Sequence, residues 1–187
     1  MSEERGTEWP VVRLRPGDRL WPEAAFDGLR ERVAGLYALG RTALLDASPC
    51  RSVAIVGTRD ASPYGVRVAG ELASAFVRAG ITVVSGLARG IDAAAHRGAL
   101  AAQGATVAVL GTGVDVPYPV GHRELHRQIA ATGLVLSERD PGAAACQGTF
   151  PRRNRIIAAL AEVTIVVEDR KSTRLNSSHT DISRMPS

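Results

Sequence analysis

The chain has 187 residues, 45% of them hydrophobic and 4% aromatic, with a formal net charge of +4. That length suits one domain with a substantial core and leaves no room for two large ones. Cys50 and Cys146 are too few and too far apart for a disulfide framework or a cysteine metal site.

The start, Met1-Ser2-Glu3-Glu4, is polar and acidic and does not fit a secretory signal. No apolar run approaches the ~20 residues that cross a bilayer. The expected location is therefore the cytoplasm, away from the membrane. The basic balance is compatible with nucleic acid without requiring it.

Residues 1–52 are mixed in character, with one helix expected over 23–36, and read as an appendage that precedes the core. Regularity begins with a short apolar strand at 53–56, followed by Gly57, Thr58 and Arg59. Ser62-Pro63 then supplies a helix N-cap and a proline at the first helical position. The helix runs to about Ala79 and stops at Gly80.

A strand at 81–85 leads through Gly86, Leu87, Ala88, Arg89 and Gly90 to a helix over 92–102, with Asp92 as its expected N-cap. A strand at 106–110 passes through Gly111-Thr112-Gly113 to a helix near 121–131. A strand at 134–137 precedes a long loop and a helix over 151–161, and 163–167 makes a fifth strand. Residues 169–187 are rich in Ser, Arg and Thr, carry no apolar period and are expected to be disordered.

Apolar strands that alternate with helices define an α/β domain over 53–168, a doubly wound Rossmann-like parallel sheet with helices on both faces. Ligands of such sheets sit beyond the carboxyl ends of the strands. Here those ends lead into the loops 57–59, 86–90, 111–113 and 138–153. Glycines there let backbone N–H groups approach an anion, and each following helix adds its positive end. Each loop alone is equally compatible with a tight strand-to-helix turn. The 85–92 stretch, Ser85-Gly86-Leu87-Ala88-Arg89-Gly90-Ile91-Asp92, has neither the G-x-G-x-x-G spacing of a dinucleotide site nor the G-K-[ST] of a P-loop.

"TFPRRNRII" (149–157) places Phe150 directly before an expected helix start, with Arg152, Arg153 and Arg155 in the first turns. Cations oppose the helix dipole at that end, and a bound anion would reverse the penalty. The competing reading is a solvated basic face. His122 and His126 stand at i,i+4, but Arg123 occupies the place where a zinc protease needs glutamate and no third ligand is near, so no metal is expected. Asp92 and His96 share the same spacing and are read as a cap and a packed neighbour. The sequence offers no nucleophile elbow and no catalytic constellation, so neither an enzyme nor a cofactor is expected.

Four motifs together resemble the DNA-processing protein A (DprA/Smf) family: "VAIVGTRDASPYG" (53–65), "VVSGLARGIDAAAHRGAL" (83–100), "VAVLGTG" (107–113) with Tyr118-Pro119, and "FPRRNRIIA" (150–158). "LWP" (20–22) and "LYALG" (36–40) are similar to the segment that precedes this family's Rossmann-like domain. The resemblance implies a single-stranded DNA-binding protein of natural transformation. Such a protein protects incoming strands, helps load a RecA-type recombinase and forms a homodimer.

Carried over by position, the resemblance assigns phosphate contact to Arg59 with Gly57 and Thr58, and a second phosphate cradle to Ser85, Gly86, Leu87, Ala88, Arg89 and Gly90, ordered by Asp92. It assigns base stacking to Phe150 and backbone grip to Arg152, Arg153 and Asn154. The family pattern is not followed after Glu168, and the tail from about Arg170 resembles translated cloning or adapter sequence, which points to a truncated reading frame. The alternatives are a nucleotide-hydrolysing enzyme or a nucleotide sensor on a related Rossmann-like fold. Against the first, Gly111-Thr112-Gly113 lacks the preceding glycine pair and the following glutamate of the phosphoribohydrolase motif.

Overall fold

The computed structural model describes residues 9–46 and 51–169. Among these residues seven strands form one sheet: β1 (Val12–Leu14), β2 (Leu36–Gly40), β3 (Ser52–Val56), β4 (Thr82–Ser85), β5 (Thr106–Leu110), β6 (Leu134–Ser137) and β7 (Val163–Val166). Their order is β1-β2-β6-β5-β4-β3-β7. Pairing is parallel from β6 to β7, while β1–β2 and β2–β6 are antiparallel. The α/β Rossmann-like expectation is met, with an antiparallel pair added at one side.

That pair corrects the reading of 23–36 as a helix. Only α1 (Glu23–Phe26) is helical, with no side-chain cap at Pro22, and Gly28 adopts a left-handed φ of 85° beyond it. Leu36 then opens β2, with Leu36 and Ala38 fully buried on one face. Pairing with β6, distant in sequence, overrides the local apolar pattern. The first segment thus contributes two strands to the same sheet.

Successive residues of the strands face opposite ways. Ala54, Val84, Val107 and Val109 meet Ile156 and Ile157 of α5 (Thr149–Ala159), together with Leu14, Trp21 and Val33 of the first segment. Burying each isoleucine contributes about 1.5–3 kcal/mol. On the other face, Val53, Ile55 and Val83 pack against α2 (Pro63–Arg78) and α3 (Ile91–Ala101). Ala108, Leu110 and Val135 pack there against α4 (Arg123–Thr132).

The two helices α2 and α3 cross at glycines, because a Cβ on Gly98 would overlap the backbone of Gly70. Ser74 Oγ seals the crossing by donating to Gly98 O at 2.8 Å. Ser62 caps α2 as expected, accepting from Gly65 N at 3.0 Å.

Among the described residues, no helix is long and apolar enough to cross a membrane. The expectation of a disordered tail falls, apart from Asp169, outside the described residues.

Candidate functional site

The loops after β3, β4, β5 and β6 gather at the carboxyl edge of the parallel strands, and the start of α5 crosses that edge. The β3–α2 loop is held from beneath. Thr58 N donates to Glu168 O at 2.8 Å and Ile91 N to Thr58 O at 3.3 Å. Gly90, with φ of 77°, packs so closely on Thr58 and Arg59 that a Cβ would overlap their backbone. Ser62 donates to the Glu168 carboxylate through both its N–H (3.0 Å) and its hydroxyl (2.9 Å). Glu168 went unnoticed in the sequence; a polar residue just past the last apolar strand, at the ligand edge, was the signal available.

With its base fixed, Arg59 projects outward. Its guanidinium lies 5.4 Å from the centre of the Phe150 ring, and the Tyr118 ring stands 5.0 Å from Phe150 on a 37° tilt. Gly111 lets the Phe150 ring rest on the β5 loop, where a Cβ would sit 3.0 Å from the ring. Phe150 therefore lies inside the first turn of α5 rather than before it. Tyr118, an aromatic in a proline-bearing loop at the same edge, joins the site although the motif reading gave it no role. Cation–ring and ring–ring contacts of this kind contribute about 0.5–1.5 kcal/mol each.

Behind the rings, Arg153 is buried, with 6% exposure. Its Nη1 donates to Gly86 O at 2.6 Å and to Val109 O. Its Nε donates to Asn154 Oδ1 at 3.0 Å, and its Nη2 stands 3.9 Å from Asp92. Burial lowers the Arg153 pKa to about 10, leaving it cationic at neutral pH.

Asp92 is not the N-cap of α3; Gly90 holds that position. The Asp92 carboxylate lies in the first turn, where it accepts from Ala88 N at 3.4 Å. Burial pushes its pKa up, against the opposing pull of Arg153 and the loop amides. Arg153 and Asp92 together fasten the 86–90 loop to β5 and α3.

The remaining expected residues divide between cleft and support. Gly57, Arg59, Ala88, Phe150 and Asn154 line a cleft of about 350 Å³. Arg89, Gly86 and Tyr118 line an adjoining lobe of about 200 Å³. Ser85 is buried and donates to Ile55 O at 2.6 Å. Leu87 is buried with φ of 59°. Arg152 is exposed, 3.4 Å from Glu31, and Arg155 pairs with Glu138 at 2.5 Å.

The histidines are occupied by backbone: His122 Nδ1 lies 3.0 Å from Leu87 O, and His126 Nε2 lies 2.7 Å from Val114 O. No group of metal-ligating side chains is present among the described residues.

The fold is a Rossmann-like sheet of the α/β class whose carboxyl edge, where such sheets hold their ligands, carries a cation and two rings. Its kinship is narrower than that. The family described as DNA recombination-mediator protein A matches residues 13–179, and the chain belongs to that family. The match continues past Glu168, where the motif resemblance stopped.

The "Putative DNA processing protein DprA" of Mycobacterium tuberculosis is 44% identical over 165 residues, covering 83% of this chain and 42% of the relative. The chain thus spans about two fifths of that curated relative's length. The X-ray structure of DNA processing protein A from Streptococcus pneumoniae superposes with a TM-score of 0.76 at 36% identity, covering 86% of this chain and 54% of that one. A Helicobacter pylori DNA processing protein A, solved for its single-stranded DNA binding mode, gives a TM-score of 0.75 at 33% identity, with coverages of 91% and 74%.

Proposed function

We propose that this chain binds single-stranded DNA along the carboxyl edge of its sheet, as the DNA-holding part of a protein that processes DNA in natural transformation. The observation that carries this reading is the stack of Arg59, Phe150 and Tyr118 above the 86–90 loop. A flexible strand presents phosphates and base faces in alternation, and an exposed cation beside a half-buried ring and an exposed one answers both. The Helicobacter relative, solved for its single-stranded DNA binding mode, supports the choice of ligand.

In this reading Arg59 meets phosphate and Phe150 stacks on a base, with Gly57, Ala88, Arg89 and Asn154 lining the path. Arg153, Asp92, Ser85 and Leu87 hold the loops in place. The chain acts by binding, without turnover. Within the longer protein the bound strand is protected and passed to a RecA-type recombinase by a homodimer, a step supported by the recombination-mediator family and by the motif resemblance.

Fluorescence anisotropy with a labelled oligothymidylate, a duplex of equal length and competing mononucleotides tests the reading. Tightest binding to the single strand is expected. Equal or tighter duplex binding would overturn it, and stoichiometric displacement by AMP would favour a nucleotide-binding protein instead.

A further inference from the structure

Across the first turn of α5 from the Phe150 stack lies another cleft, of about 300 Å³, lined by Arg13, Tyr37, Gly111, Arg139, Asp140 and Arg152. Arg153 borders both clefts. The second one exists because β2 runs antiparallel to β6. Tyr37 pairs with Ser137, which brings the start of β2 to the edge where the parallel strands end. Arg13 of β1 pairs with Tyr37 in turn.

The charges in this cleft are unevenly satisfied. Glu138 takes Arg155 at 2.5 Å, and Glu31 lies 3.4 Å from Arg152. The Asp140 carboxylate accepts the Tyr37 hydroxyl at 2.6 Å, and the Arg13 guanidinium covers that ring at 5.5 Å. Tyr37 is thereby fixed by one partner at its hydroxyl and another on its face. Arg13 and Arg139 are exposed and make no ion pair among the described residues. Two unpaired guanidinium groups beside a braced ring repeat the chemistry of Arg59 and Phe150. An anion in the cleft would give both a partner.

We propose that this cleft takes a further phosphodiester of the same single strand, received by Arg13 and Arg139 as the strand passes over the start of α5. The inference rests on the single-strand reading above and extends the footprint onto the β1–β2 side of the sheet. The strand then spans both flanks of α5, and affinity rises with strand length until both clefts are filled.

Oligothymidylates of about 4 and about 16 nucleotides separate one filled cleft from two. The double variant Arg13→Ala/Arg139→Ala is expected to bind the short oligomer as the parent chain does. For the long oligomer its salt slope should flatten by about 0.7, the change for the one phosphate released. The lysine pair Arg13→Lys/Arg139→Lys should keep most of the slope. Arg139→Ala alone, in an exposed loop, should flatten it in the same direction, by up to about 0.7, and guards against misfolding of the double variant. An unchanged slope for the long oligomer in these alanine variants would overturn the second cleft while leaving the first intact. Failure of the parent chain to bind either oligomer would overturn the single-strand reading itself.

Discussion

Arg153 lies flat against Gly86, so close that a side chain at residue 86 would overlap the guanidinium. Its Nη1 donates to Gly86 O at 2.6 Å. The glycine is therefore needed for the approach of an arginine, and the arginine shapes the loop that faces the ligand.

Arg153→Ala should remove the donor to Gly86 O and Val109 O and the guanidinium 3.9 Å from the buried Asp92 carboxylate. The expected loss of stability is about 3–5 kcal/mol, read from urea unfolding. Gly86→Ala should displace the same guanidinium and lower stability in the same direction. An Arg153→Ala chain as stable as the parent would show that the pair does not hold the loop.

Phe150→Ala should weaken single-strand binding by about 1–3 kcal/mol through lost stacking, with the salt slope unchanged. Tyr118→Ala should weaken it less, because that ring braces Phe150 from the side. Isothermal titration at two salt concentrations reads both quantities. A slope that changes with Phe150→Ala would assign the residue an indirect electrostatic part instead.

His96 gives the fold a pH dependence. The single Thr106 hydroxyl hydrogen goes to Val83 O at 2.9 Å, so His96 Nδ1 carries its proton and donates to Thr106 at 2.8 Å. Its Nε2 is buried without a partner among the described residues. Burial, reinforced by Arg153, His122 and Arg97, lowers its pKa from 6.5 to about 3. The unfolded chain therefore binds a proton that the folded chain refuses, and stability falls as pH drops from 6.5 toward 3. Between pH 7 and 5 the expected loss is about 2 kcal/mol. His96→Gln should be less stable at neutral pH and lack this component of the slope. Equal pH dependence in parent and variant would remove His96 as the cause.

Strand β7 pairs with β3 and, among the described residues, with no second strand. Val163 and Val166 remain 59% and 58% exposed. An apolar, uncovered edge invites pairing with another chain. Val166→Lys should reduce concentration-dependent light scattering at little cost in stability. Unchanged scattering would place the self-association elsewhere.

Local signals carried much of this fold. Ser62-Pro63 marked the start of α2, and unbroken apolar runs marked β5 and β6 at their observed limits. Strands β1 and β2 were illegible because β2 pairs with β6, about a hundred residues further on, and β1 is placed by β2, so neither leaves a local period.

The arginines of α5 show a different limit. Arg152, Arg153 and Arg155 looked like one basic cluster, yet Arg153 is buried while Arg152 is exposed. The signal lay in the helical spacing: Arg153 shares its face with Ile156 and Ile157, at i+3 and i+4, both buried. Phe150 has two neighbours, Arg59 and Tyr118, from loops that meet only in the folded sheet.

The most direct test compares the salt dependence of oligothymidylate binding for the parent chain, Arg59→Ala and Phe150→Ala. A strand held between an exposed cation and a ring should give Arg59→Ala a slope flatter by about 0.7, while Phe150→Ala loses affinity at constant slope. Parent-like slope and affinity in both variants would contradict the proposal that this edge of the sheet holds the strand.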